Sequence, residues 1–106
     1  MAVENVSYDN LAEVLEQNKY VILHIGAPWC TPYNEFKPVF EALSEKFPNV
    51  KFGKVDITKN DVIAKQYHAQ SIPALVYIRN CQAIKTVVEE QKKENIIRTI
   101  RLELCR

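Results

Sequence analysis

The sequence has few glycines and no long apolar run, and each shortage excludes a class of protein. Only Gly26 and Gly53 occur in 106 residues, and no repeat, linker or low-complexity stretch interrupts the chain, so we predict one domain over residues 1–106. The longest apolar stretch, Val21–Ile25, is far too short to span a bilayer. The polar, acidic start at Met1–Asn10 does not resemble a secretory leader, so we predict a cytoplasmic protein with no membrane partner.

The sequence also has little net charge and no closely spaced pair of cysteines. The net charge is +1, from 14 basic and 13 acidic residues, so no field draws in phosphate backbones and nucleic acid is excluded as a partner. Cys30, Cys81 and Cys105 lie too far apart for a disulfide framework or a zinc knuckle, and their odd number fits a reducing compartment. With 47% hydrophobic residues, we expect the chain to fold without a metal or a cofactor.

Apolar periodicity predicts strands alternating with helices. The strands are predicted at Val3–Val6, Val21–Ile25, Val50–Ile57, Leu75–Ile78 and Ala83–Val88. The four helices are predicted after a Ser7 cap, from Pro32, from Thr58 and Asn60 through Tyr67, and along Ile96, Ile97, Ile100 and Leu104. The last two strands flank Asn80-Cys81 and should form an antiparallel hairpin. This order predicts an α/β fold in which a central mixed five-stranded sheet is flanked by four helices.

The segment Trp29-Cys30-Thr31-Pro32-Tyr33 lies where a predicted strand gives way to a helix. The free amide groups of a helix N-terminus favour thiolate over thiol and can lower a cysteine pKa from about 8.5 to about 7. We therefore predict that Cys30 is a nucleophile. The alternative is an inert, half-buried thiol.

Three motifs together resemble the thioredoxin family over the whole chain: Ala27-Pro28-Trp29-Cys30-Thr31-Pro32, then Pro38, then Ile72-Pro73. The resemblance implies a thioredoxin-like fold and thiol-disulfide exchange. In that family an exposed first cysteine attacks a substrate disulfide, and a second cysteine, three residues later, releases the product. Here Cys30 stands at the first position.

Two positions depart from the family pattern together. Tyr33 stands where the resolving cysteine is expected, and His24 stands where thioredoxins bury an acidic residue that manages the proton of that cysteine. Cys81 lies eight residues beyond Pro73 along an extended strand, roughly 26 Å away at about 3.3 Å per residue, so it is too distant to substitute. Cys105 ends a helix that in this family runs away from the active site. We predict a single-thiol site.

Each departure leaves two interpretations open. His24 is either a neutral core histidine or a catalytic base, and a cationic His24 would lower the pKa of the Cys30 thiol. We also predict a hydrogen bond from His24 to the Tyr33 hydroxyl. Tyr33 is either a plug that fills the space of the missing cysteine or a donor to the Cys30 thiolate.

The resemblance also implies a partner-binding surface. In this family a cis proline faces the nucleophile, so Pro73 would leave the backbone of Ile72 free to pair with an extended partner peptide. Trp29 would offer an aromatic contact, unless it packs on its own domain. Glu89 replaces a glycine that keeps the docking surface of thioredoxins apolar, so partner choice should differ from that of a general reductase.

These observations favour a single-thiol, thioredoxin-like oxidoreductase. Its substrates would be cysteine-containing proteins or peptides, and glutathione or another thiol would resolve the mixed disulfide. The alternative is a redox-silent module of the same fold that binds peptides or assists a chaperone. A glutaredoxin that holds an iron–sulfur cluster ranks last, because no glycine follows Gly53.

Overall fold

Five strands form one mixed sheet in the computed structural model, which describes residues 3–88 and 92–105. The strands are β1 (Val3–Asn5), β2 (Tyr20–Gly26), β3 (Lys51–Asp56), β4 (Ala74–Arg79) and β5 (Gln82–Val88). Their order across the sheet is β1-β3-β2-β4-β5. The first three strands run parallel, whereas β4 is antiparallel to both β2 and β5. The predicted fold class is confirmed.

Within residues 3–88 and 92–105, four α-helices cover the two faces of this sheet. They are α1 (Leu11–Gln17), α2 (Thr31–Lys46), α3 (Asp61–Gln66) and α4 (Lys93–Thr99), and a π-helical turn at Ile100–Leu104 continues α4. Ser7 caps the turn over residues 8–10 that leads into α1, because its hydroxyl accepts a hydrogen bond from the Asp9 amide at 3.2 Å and its carbonyl accepts one from the Leu11 amide at 3.0 Å, whereas the cap position of the helix itself is Asn10. None of the helices in residues 3–88 and 92–105 is long and apolar enough to cross a bilayer.

Strand alternation divides the core between the two faces. Side chains of Leu23 and Ile25 pack against α1 and α3, whereas Ile22 packs against α2 and α4. His24 follows the same alternation as Ile22 and meets Phe36 and Phe40 of α2. Because side chains alternate between the two faces of a strand, the polar His24 lies in the part of the core that packs against α2.

The pairing of β2 with β4 places the cysteines at opposite ends of the sheet. Ile25 pairs with Ala74 at one end and Tyr20 pairs with Arg79 at the other. Cys30 follows the first end, and Cys81 lies in the turn beyond Arg79. Asn80 and Cys81 have φ angles of 52° and 67°, the left-handed values that suit a two-residue hairpin turn, so the predicted hairpin is confirmed.

Candidate active site

Cys30 occupies the cap position of α2, with an extended backbone at φ −89° and ψ 105°. Its carbonyl accepts a hydrogen bond from the Asn34 amide at 3.1 Å, and its own amide donates to the Ala27 carbonyl at 3.0 Å. The start of a 16-residue helix is therefore held directly against the thiol residue.

The Cys30 side chain is much less open than the family resemblance implies. Only 7% of the residue is exposed, because it packs with Ala27 and Tyr33 while Ile57 and Ile72 press against the same cluster. The expectation that Cys30 is exposed is therefore wrong, because the residue is nearly covered. A reagent or partner has to reach the sulfur through a narrow opening.

The residues around this opening differ widely in exposure. Trp29 is 70% exposed, which contradicts the alternative that it packs on its own domain, and Thr31 and Pro32 are also exposed. Ile72 is partly buried beside the Cys30 cluster, and the Ile72–Pro73 peptide bond is cis, so the trans alternative is excluded. The predicted Glu89 position lies outside the described residues, as does Glu90.

The ring of Tyr33 packs closely against Gly26. A Cβ atom added to Gly26 would stand 2.8 Å from Cε1 of Tyr33 and closer still to Cγ and Cδ1, so no larger residue fits there. Tyr33 is buried and fills this space beside Gly26. That its ring takes the place of a second cysteine stays a prediction. Gly26 is a site residue that the sequence reasoning missed, although its scarcity and its place at a strand end were visible.

His24 is buried, with 1% exposure, and its ring packs against the ring of Tyr33 at 4.4 Å between centroids, tilted by 41°. Burial, and secondly the Lys37 charge, lower the pKa of His24 from 6.5 to about 3. The imidazole is therefore neutral near pH 7, and the cationic alternative is wrong. The predicted hydrogen bond to the Tyr33 hydroxyl is also wrong, because the two rings pack against each other at this tilt and Nε2 of His24 has no partner in the described part of the chain.

The Tyr33 hydroxyl does not act as an acid near neutral pH. Burial raises the pKa of Tyr33 to about 12, and the charges of Asp56 and Cys30 act in the same direction. Lys37, one helical turn further along α2, holds its ammonium 5.2 Å from the Tyr33 ring centroid. Sequence reasoning did not single out Lys37 or Asp56, because only folding brings β3 beside the start of α2.

Neither remaining cysteine lies near Cys30. The Cys81 thiol donates to the Leu15 carbonyl at 3.4 Å, and the Cys105 sulfur accepts from the Asn49 amide at 3.8 Å, both at the far end of the sheet. All three cysteines are free. Within residues 3–88 and 92–105, no three His, Cys, Asp or Glu side chains are grouped to hold a metal ion.

Acid should destabilise the protein through His24. The unfolded histidine takes up a proton near pH 6.5 but the folded one only near pH 3, so stability is lost as the pH falls between these values. Going from about pH 7.5 to about pH 5 should lower the free energy of unfolding by about 2 kcal/mol through this residue. Urea denaturation at both pH values measures the loss.

The variant His24→Phe should lose most of this pH dependence, and His68→Gln, at an exposed histidine, serves as the matched control. An unchanged pH dependence in His24→Phe would contradict the prediction.

Comparison with known proteins places this geometry in context. The thioredoxin family model matches residues 2–102. The chain is 33% identical over 98 residues to thioredoxin from Chlamydia trachomatis, covering 92% of this chain and 95% of that protein. It is 32% identical over 89 residues to rice thioredoxin H5, covering 83% of this chain but 66% of that longer protein. Its fold superposes on a mutant thioredoxin from Halobacterium salinarum with a TM-score of 0.89 and 25% identity, covering 96% and 90% of the two chains.

Proposed function

Because this chain belongs to the thioredoxin family, we propose that Cys30 performs thiol-disulfide exchange as a single thiol. It forms a mixed disulfide with a cysteine-containing protein or peptide, and an external thiol resolves that bond. The observation that carries the proposal is the Tyr33 ring, which fills the place of a second thiol while Cys81 and Cys105 lie at the far end of the sheet.

The chemistry balances without a second thiol in the chain. The Cys30 thiolate attacks one sulfur of a substrate disulfide, which forms a mixed disulfide and releases the other substrate sulfur as a thiolate. An external thiolate, from glutathione or from a second protein, then attacks the substrate sulfur of the mixed disulfide. This step frees the Cys30 thiolate and leaves the substrate disulfide-bonded to the external thiol.

We further propose that the partner docks as an extended strand beside Cys30. The backbone of Ile72 makes no hydrogen bond within residues 3–88 and 92–105, so its amide and carbonyl are free for a partner peptide. The exposed Trp29, next to Cys30 in the chain, offers a large aromatic contact. The buried Pro73, next to Ile72, completes the docking surface, and the charge of Glu89 narrows the choice of partners.

One observation favours the second candidate, a redox-silent module that binds peptides or assists a chaperone. Cys30 is only 7% exposed, and reactive cysteines need solvent or partner access. In this alternative the free Ile72 backbone and Trp29 still bind a peptide, but the sulfur takes no part.

Intact-mass measurement after treatment with oxidised glutathione distinguishes the two. We expect a variant with Cys81→Ser and Cys105→Ser to gain one glutathione on Cys30, to keep it after the reagent is removed, and to lose it on addition of reduced glutathione. Adding Cys30→Ser to the same variant is the matched control and should abolish the adduct.

The same reagent applied in urea shows that the thiol is chemically intact. A folded protein that stays unmodified while the unfolded chain reacts fully would overturn the redox proposal and support the silent module.

A further inference from the structure

Asn34, at the end of the first turn of α2, connects that helix to the loop that carries Trp29. Its side-chain nitrogen Nδ2 donates a hydrogen bond to the Pro28 carbonyl at 2.8 Å. Its backbone amide donates to the Cys30 carbonyl at 3.1 Å. One residue of the helix therefore holds the chain on both sides of Trp29.

The Pro28 carbonyl belongs to a tight turn. The Cys30 amide donates to the Ala27 carbonyl at 3.0 Å, so these residues bound a β-turn whose two central positions are Pro28 and Trp29. Proline fixes its own φ angle, which leaves rotation of the peptide between Pro28 and Trp29 as the main freedom of the turn. Asn34 binds the oxygen of this same peptide, so its hydrogen bond restricts that rotation.

Packing holds the Trp29 side chain only weakly. The residue is 70% exposed, so the backbone of the turn largely sets where the indole lies relative to the neighbouring Cys30. A side chain that is already in place when a partner arrives loses less conformational entropy on binding. Order in this turn should therefore strengthen the contact that Trp29 offers to a peptide.

We propose that Asn34 is a positioning residue that holds Trp29 in place beside Cys30 for contact with a partner peptide. Asn34 acts through the peptide bond between Pro28 and Trp29 and not through the reacting sulfur. Its benefit to thiol-disulfide exchange rests on the proposed function of Cys30, whereas the ordering of Trp29 does not.

Fluorescence tests the ordering directly, because Trp29 is the only tryptophan in the chain. In Asn34→Ala, time-resolved anisotropy should show a nanosecond decay of the indole with at least ~2-fold larger amplitude than in the parent. Asn34→Asp keeps the shape of the side chain but has no donor, so it should behave in the same way. Glu45→Ala, at another exposed polar residue of α2, is the control and should match the parent. An unchanged amplitude in both Asn34 variants would overturn the proposal.

Reaction with a peptide tests the consequence, in proteins that carry Cys81→Ser and Cys105→Ser. The probe is a peptide whose cysteine is disulfide-bonded to thionitrobenzoate. The Cys30 thiolate attacks the peptide sulfur, a mixed disulfide forms, and thionitrobenzoate leaves as a coloured thiolate. Asn34→Ala should slow this reaction about 5-fold, the effect of one lost hydrogen bond, and leave alkylation of Cys30 by iodoacetamide unchanged. In a Trp29→Ala background, Asn34→Ala should change neither rate.

The outcomes separate this proposal from the function on which it rests. Equal slowing of both reagents, or equal slowing of the peptide in the Trp29→Ala background, would indicate general damage to the site and overturn the positioning role. A parent protein that reacts with iodoacetamide but not with the peptide would overturn the exchange function. The anisotropy of Trp29 then decides by itself whether Asn34 holds this residue in place.

Discussion

Replacing Tyr33 with cysteine is expected to release reduced product from a disulfide substrate at least ~100-fold faster than the parent at about 1 mM external thiol. Residues three apart in the first turn of a helix lie on one face, so the new thiol is held next to the sulfur of Cys30. Its effective concentration then far exceeds that of a thiol in solution. The new thiolate attacks the Cys30 sulfur of the mixed disulfide, expels the substrate thiolate and leaves an intramolecular disulfide, which dithiothreitol reduces for the next cycle.

The substitution also removes a buried ring. Loss of the packing on Gly26 and His24 should cost about 3 kcal/mol of stability, so the assay is run at low temperature after circular dichroism has shown a folded protein. Tyr33→Ser is the matched control, because it loses the same ring without gaining a thiol. A folded Tyr33→Cys protein that is no faster than Tyr33→Ser would show that His24 or Glu89 has also disabled the second half-reaction.

Replacing Gly26 with alanine should lower the free energy of unfolding by about 3 kcal/mol. The new methyl group would overlap three ring atoms of Tyr33, and the ring cannot move away because the ring of His24 packs against it at 4.4 Å between centroids. Close packing leaves no free volume to absorb the overlap, so the ring or the strand has to shift. Urea denaturation of the two proteins measures the loss.

A double-mutant cycle shows whether Tyr33 is the cause. In a Tyr33→Ser background, Gly26→Ala should cost less than about 1 kcal/mol, which gives a coupling energy of at least about 2 kcal/mol. Gly53→Ala is the matched control: its methyl group would overlap Val6 and make a tight contact with Leu23, so Tyr33→Ser should not rescue it. Equal rescue of both glycine variants, or of neither, would contradict the packing of Tyr33 on Gly26.

Most of the fold could be predicted from residues that lie close together in the sequence. The apolar alternation of β2, the start of α2 at Cys30 and the Asn80-Cys81 turn each depend on neighbours in sequence, and each lies within a residue or two of its predicted place. The helix after Ser7 begins later than predicted, because Ser7 caps a turn over residues 8–10 and the cap position of α1 is Asn10. The Asn10 side-chain oxygen accepts a hydrogen bond from the Ser7 amide at 2.8 Å, which holds this turn in place.

The candidate site could also be predicted from the sequence only in part. Cys30, Tyr33 and His24 could be chosen from the sequence, since the motif fixes which residue types are present and which is missing. The exposure of Cys30 could not, because Ile57 and Ile72, which cover it, come from loops distant in the chain. The sequence also could not show that close packing of the two rings replaces the hydrogen bond predicted between His24 and Tyr33.

By itself, the sequence determined that Cys30 and Tyr33 stand three positions apart in one segment, because residue type is a property of the sequence. Only the tertiary structure decided that the Tyr33 ring packs on Gly26, how far Cys30 is covered, and that Nε2 of His24, beside Lys54, lacks a partner among the described residues. The physical reason is that burial and strand register join residues distant along the chain, and neither can be derived from local spacing.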